Sequence, residues 1–257
     1  VVAALPAVVT PYPQAVVNLK GALEADAQLE TMIQTLDYVE WRVIFNGLTE
    51  ADLGDASLLI LVQADSSLDY SDEELSVIKA WYEEGGKTIW VASDSDYGND
   101  ALRQASANSV LEHLGSSMRF EASSVEDPVS NGGAPYRVLA VSDYVDPGYE
   151  FLVSGVERGL FHGPGTIIGY ENGEYVKLEE SSIENVHVIM TTSENGVVAD
   201  NSEPAPEIHQ AGDEGTFPVM VLEVDPEFTG VIIATGDAPF GHYMGLYKPE
   251  MLRADRY

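Results

Sequence analysis

The sequence predicts an α/β protein whose sheet is mainly parallel and flanked by helices. Three observations in the stretch from Leu58 to Gly98 carry this expectation. Leu58 to Val62 and Thr88 to Ala92 are short unbroken apolar runs, the pattern of strands covered on both faces. Between them Leu75, Ile78 and Trp81 or Tyr82 recur at helical spacing. Ser71 and Glu74 bracket the start of that helix as a capping box, and Gly85-Gly86 ends it. A crossover of this length makes the two strands parallel and the connection right-handed.

The remaining elements follow in order. Residues 1–18 are proline-rich and read as an N-terminal arm, with Ala15-Val16-Val17 as a first short strand. Residues 19–257 read as one domain. Within Leu19 to Leu36 the residues Leu29, Met32, Ile33 and Leu36 share a helical face, which Ala22 and Ala25 extend backwards. Trp41 to Phe45 alternates as a strand, Asn46-Gly47 turns the chain, and Thr49 to Leu53 leads into the βαβ unit. A helix from about Ala101 to Leu114 is stopped by Gly115, and Met118 to Ala122 is the next strand. Residues 123–136 form a polar loop before a strand at Arg137 to Val141. Thr166 to Tyr170 and Tyr175 to Leu178 flank Glu171-Asn172-Gly173-Glu174, whose Asn-Gly pair predicts a type I′ hairpin. Val186 to Thr191, Val219 to Val224 and Val231 to Thr235 are the last strands, with an acidic loop from Glu194 to Gly215 before the second. The C-terminal half therefore adds strands and hairpins to the α/β core.

Composition narrows the function. The 43 acidic against 12 basic residues give a formal charge of -31, a field that repels nucleic acid and anionic lipid. The chain has no Cys, which removes disulfides, thiol nucleophiles and Cys-ligated zinc. VVAALPAVV at the start is too short and proline-broken to span a bilayer, and no 18-residue apolar run follows. With Val1 rather than Met at the start, the expectation is an exported, mature protein without membrane insertion in this segment. The glycine pairs at Gly132-Gly133 and Gly163-Pro164-Gly165 lack phosphate-loop spacing and its Lys, so no nucleotide is expected.

Four segments together resemble a known family: DASLLILVQADSSLDYSDEELSVIKAWYEEGGKTIWVASDSD, the SNGGAPYRV loop, FLVSGVERGLFHGPGTI, and VMVLEVDPEFTGVIIATGDAPF. They are similar to the glutamine-amidotransferase-like domains shared by gliding-motility transporter components and intraflagellar transport proteins, with relatives in archaeal surface proteins. The resemblance implies a flavodoxin-like or class I amidotransferase-like sheet. It also implies a binding or assembly module without catalysis, because the elbow where such amidotransferases carry a Cys reads Ser93-Asp94-Ser95 here.

The candidate residues cluster where α/β sheets gather chemistry, at the carboxyl ends of the strands. Asp65 and Asp237 follow two apolar runs, Ser93 to Asp96 follow a third, and His242 lies just beyond Asp237. If the three strands are parallel, Asp65, Ser95, Asp237 and His242 share one polar pocket; the bland alternative is a set of independent loop side chains that cap helices or face water. In the loop from Asp94 to Asp100, the carboxylates Asp94, Asp96 and Asp100 offer oxygens to a hard cation such as Ca2+. The competing reading is that Asp96 or Asn99 caps the next helix. Two functions are expected from these features. One is a non-catalytic extracellular binding or assembly module of a prokaryotic cell surface, in an S-layer or beside a transporter. It would contact other surface proteins or a polysaccharide and take up divalent cations. The other is a hydrolase using Ser93, Ser95 or the Asp65 and Asp94 carboxylates.

Overall fold

The structure, a computed structural model, describes residues 12–25, 27–45 and 47–238. In chain order its first half contains β1 (Gln14–Lys20), α1 (Ala27–Thr35), β2 (Glu40–Ile44), α2 (Glu50–Leu53), β3 (Leu58–Gln63), α3 (Asp72–Tyr82), β4 (Thr88–Ala92) and α4 (Ala101–Leu114). Strands then dominate: β5 (Met118–Phe120), β6 (Ser124–Glu126), β7 (Arg137–Val141), β8 (Arg158–His162), β9 (Ile167–Glu171) and β10 (Glu174–Val176). The last are β11 (Val186–Thr191), β12 (Gly196–Ala199), β13 (Glu214–Gly215), β14 (Pro218–Asp225) and β15 (Gly230–Thr235).

One nine-stranded sheet, in the order β2-β1-β3-β4-β15-β14-β11-β7-β8, organises the molecule. The βαβ expectation holds locally. Leu58 pairs with Thr88 and Leu61 with Val91 in parallel register, with α3 as the crossover. Neighbouring strands from β2 to β15 are all parallel, whereas every pair from β15 to β8 is antiparallel. Two three-stranded sheets, β10-β9-β5 and β13-β12-β6, complete the described residues.

This corrects the predicted fold class. The protein is mostly β, a mixed nine-stranded sheet with two small sheets, and not a helix-flanked parallel α/β fold. The reason is visible in the connections. After α4, successive strands are joined by hairpins and loops, and an antiparallel strand needs no crossover helix to cover it. The long helix expected within residues 19–36 is also shorter, because Leu19 and Lys20 belong to β1, and α1 spans Ala27–Thr35. The first strand lies inside the sheet, so residues 14–18 of the expected arm are core.

The parallel strands alternate their side chains between two apolar layers. Val16, Leu59, Leu61, Ile89 and Val91 pack on one face with Leu75, Ile78 and Trp81 of α3 and Val110 and Leu111 of α4. Val17, Leu19, Ile60 and Val62 meet Leu29 of α1 on the other. A third layer, built from β7, β11, β12 and β14 around Phe217, underlies the antiparallel wing. The predicted hairpin is present. Asn172 and Gly173 carry φ of 55° and 86°, the two positive values that a type I′ turn needs, and Glu171 pairs with Glu174.

The capping box predicted for α3 does more than cap. Glu74 accepts from the Ser71 amide at 2.9 Å while Ser71 Oγ accepts from the Glu74 amide at 3.2 Å. The same carboxylate takes the Lys20 ammonium at 2.7 Å on both oxygens and the Leu48 amide at 3.2 Å. Lys20 also sits 4.9 Å from the centroid of the Tyr70 ring. Burial alone would raise the Glu74 carboxyl, but Lys20 and the backbone donors bring it below the usual range. Both charges are almost inaccessible to solvent, so removing one strands the other. Glu74→Gln is expected to destabilise the protein by about 3–5 kcal/mol in urea unfolding. Lys20→Met/Glu74→Gln should recover most of that loss, because no uncompensated buried charge remains.

Candidate functional site

Three parallel strand ends converge as the sequence predicts. Asp65 follows β3, Ser93 to Asp96 follow β4, and Gly236-Asp237 follow β15. Arg103, one turn into α4, gathers them. Its guanidinium donates to Asp94 Oδ2 at 3.1 Å, to Asp100 Oδ1, and to the carbonyls of Gln63 at 3.0 Å and Ala64 at 3.2 Å. Asp237 is buried and accepts from the His162 amide at 2.6 Å.

The two carboxylates nearest the sheet end are hard to ionise. Burial pushes the Asp94 carboxyl up to about 7, with Asp100 adding to the rise and the Ser95 amide and Arg103 opposing it. Burial likewise holds Asp237 well above the carboxylate range, and the neighbouring Asp94 raises it further. Such a pair is the sort of arrangement that acid-base sites use.

Yet the space a ligand would need is filled by the chain itself. Only one pair, Thr191 with Val141, joins β11 to β7, so the β7–β8 hairpin extends past the end of the sheet. Beyond the end of β8, opposite the turn of the hairpin, Gly163-Pro164-Gly165 cross the ends of β4 and β15. The Gly165 amide donates to the Gly236 carbonyl at 2.8 Å, and the Val125 amide donates to the Pro164 carbonyl at 2.8 Å. The approach is so close that a Cβ on Gly236 would lie 1.9 Å from the Gly165 carbonyl oxygen. A Cβ on Gly165 would meet Gln104 Nε2 at 2.7 Å and the Asp94 carbonyl at 2.9 Å. Gln104 in turn donates to the Asp94 and Ser123 carbonyls at 3.0 and 2.7 Å.

The other predicted site residues have separate tasks. Asp96 is buried and holds the far loop: its oxygens accept from the Asn201 amide at 2.5 Å and Asn201 Nδ2 at 2.8 Å, and Ser202 Oγ donates to its carbonyl. Asp65 is exposed and closes its own turn on the Ser67 amide and hydroxyl at 2.9 and 2.7 Å. Ser95 Oγ accepts from the Tyr97 amide at 3.1 Å, and Ser93 Oγ is buried without a partner among the described residues. His242 lies outside the described residues.

The three carboxylates expected to share a Ca2+ ion have other partners. Asp94 and Asp100 are joined through Arg103 rather than through open oxygens, and Asp96 points its carboxylate into the Asn201 turn. Among the described residues no group of three His, Asp or Glu side chains could hold a metal ion. Neither Asp96 nor Asn99 caps α4, whose N-terminal flank is a 3-10 turn at Gly98–Asp100.

Sequence reasoning assigned no role to His209, which forms the most enclosed polar cluster. Its Nδ1 lies 2.6 Å from Glu121 Oε2 and its Nε2 lies 2.7 Å from Glu179 Oε1. The Ile208 and His209 amides also donate to Glu121, at 2.8 and 2.9 Å. Burial would lower the imidazole, but the two carboxylates override it and raise His209 to about 9. The cluster pins the acidic loop after β12 to the ends of β5 and β10, and it is sealed from solvent.

A different surface is exposed on the antiparallel wing. The loop between β7 and β8 is anchored from below by Val145, Tyr149 and Val153, with the Tyr149 ring stacked 4.1 Å from that of His187. From this base Tyr144, Phe151, Leu152 and Val156 face solvent, Phe151 at 70% of its full exposure.

No family model and no curated protein matches the sequence. Among solved structures the chain is similar to "mmIFT52 N-terminal domain", with a TM-score of 0.57 and 11% identity over 87% of this chain and 86% of that one. At that identity the likeness establishes the fold alone. The solved structure is of an intraflagellar transport protein and brings no amidotransferase, S-layer or calcium protein with it. The amidotransferase-like family, the S-layer assignment and the extracellular, cell-surface location are therefore corrected.

Two pH effects follow. Asp94 binds its proton more tightly folded than unfolded, so its contribution is full near pH 4 and is lost as pH rises through about 7. His209 is also raised, and its contribution is full below pH 6.5 and is lost as pH rises through about 9. Urea midpoints measured from pH 5 to 9 should fall steadily. Asp94→Asn should flatten the decline below pH 7, and His209→Gln should flatten it between pH 7 and 9 while costing about 2–4 kcal/mol at neutral pH.

Proposed function

We propose that this chain is a non-catalytic binding module that assembles with other polypeptides. The observation that carries the reading is the closure of the parallel strand ends by Gly163-Pro164-Gly165, which leaves no room for substrate beside Asp94 and Asp237. Open α/β sheets bind ligands at that crevice. Here Asp94, Ser95, Asp96 and Asp237 are engaged internally, while an apolar surface is presented elsewhere, at Tyr144, Phe151, Leu152 and Val156. The likeness to a domain of an intraflagellar transport protein supports a protein partner over a small-molecule substrate.

A second reading, hydrolysis by the strand-end carboxylates, is favoured by the raised Asp94 and Asp237. A base or acid must reach the reacting atoms, however, and Asp237 is buried beneath the crossing while Asp94 is engaged by Arg103.

Two measurements test the proposal. A photo-crosslinking residue placed at Phe151 in source cells should give discrete protein adducts, and one at Leu23, 97% exposed on the opposite wing, should not. Ester, amide and phosphoester substrates should show no turnover. Turnover that disappears in Asp94→Asn, or equal adducts at both positions, would overturn the reading.

A further inference from the structure

β8 ends the nine-stranded sheet, and among the described residues no strand pairs with its outer edge. In an antiparallel ladder, hydrogen-bonded and non-bonded pairs alternate. The Leu139 amide turns away to the Ser130 carbonyl at 2.9 Å, which makes Leu139 and Leu160 a non-bonded pair. The backbone N–H and C=O of Leu160, and of Arg158 two residues before it, consequently face away from β7. His162 continues the series, and its outward amide is taken by Asp237 at 2.6 Å, which seals the upper end of the edge. Below that point the outward groups of Leu160 and Arg158 have no partner among the described residues.

Natural edges are blunted by Pro, Lys or a bulge, and β8 has none of these, its one charged guard being Arg158. Across β7 from that edge, near Val141, lies a cleft of about 400 Å3 lined by Val129, Ser130, Tyr144 and Ser193 and by the charged Asp143, Glu194 and Arg158, the last reaching it from β8. Past it stand the exposed Phe151, Leu152 and Val156. Unpaired backbone gives an extended peptide its hydrogen bonds, and the exposed apolar side chains beside the strand contact alternate residues of it.

We propose that β8 receives an extended segment of a partner polypeptide as a tenth strand, and that this segment is basic with alternating apolar residues. The proposal rests on the protein-binding reading above and names where the partner sits. Charge selects the partner: a second copy of this chain would bring another formal -31 against the first, whereas Lys or Arg side chains would meet the acidic rim.

The test uses a displayed library of random dodecapeptides, selected on the full chain and counter-selected on Leu160→Pro, which removes an outward N–H while leaving the bonds to β7. Selected peptides should alternate apolar residues with Lys or Arg. They should bind at least tenfold more weakly to Leu160→Pro and to Phe151→Ser, and lose affinity as salt rises. Amide exchange on the wild-type chain should slow at Arg158 and Leu160 when peptide is bound, a readout that holds even if Leu160→Pro folds poorly. Unchanged exchange at those amides, equal binding to the variants, or self-association that protects the same amides without peptide would each overturn the proposal. Adducts at Phe151 without protection of β8 would leave the assembly reading standing and sink this one alone.

Discussion

The close passage of Gly165 over Gly236 is the constraint on which the molecule's function turns. Two backbones meet there at a distance no side chain permits, and the amide-carbonyl bond between them fixes the hairpin arm to the middle of the sheet. Because the arm is held, Asp237 finds the His162 amide, Asp94 is half-buried beside Arg103, and Gln104 bridges two carbonyls beneath the crossing. A site that would otherwise open between strand ends becomes a joint between two halves of the protein. The carboxylates at the joint hold raised proton affinities for the same reason that they lack a substrate: they are enclosed.

Buried charge elsewhere obeys the same economy. A chain with 43 acidic and 12 basic residues has few cations to spend, and it places them where acids must be buried. Lys20 is set against Glu74, Arg103 against Asp94 and Asp100, and His209 between Glu121 and Glu179. The Lys20 and His209 pairs join segments far apart in sequence, whereas Arg103 holds the turn that leads into its own helix. Such pairs add little net stability over an apolar substitute, but they penalise every arrangement in which a partner is missing.

What the sequence revealed was local. Leu58–Leu61 and Thr88–Val91 were legible because both faces of those strands are covered, which leaves an unbroken apolar run, and Ser71 and Glu74 sit three residues apart. The Asn172-Gly173 turn was legible for the same reason. In the antiparallel wing the apolar runs of β7, β11, β14 and β15 were legible as strands, but their antiparallel order was not, and β8, which reads Arg-Gly-Leu-Phe-His, and β6, β12 and β13, two to four residues long inside polar loops, were missed. The candidate residues divide along this line. That Asp65, Asp94 and Asp237 end neighbouring strands follows from the βαβ pattern, but the task of Asp96 depends on Asn201, 105 residues away, and that of His209 on Glu121, 88 residues away. No local spacing encodes such partners, and the crossing that fills the strand ends is equally nonlocal.

The order of strands also bears on how the chain can be made. β15 lies between β4 and β14 at the centre of the sheet, yet it is the last strand of the described residues. Domains fold N-terminal first during synthesis, and here the parallel half can assemble early only up to β4. The edge of β4, with Ile89 and Val91 at its middle, must wait unpaired until β15, the last of the described strands, is made. A long-lived open edge of apolar residues is a template for wrong pairing, and contacts of such sequence separation form slowly. The growing chain thus carries an aggregation hazard at the centre of its sheet until the last described strand covers it.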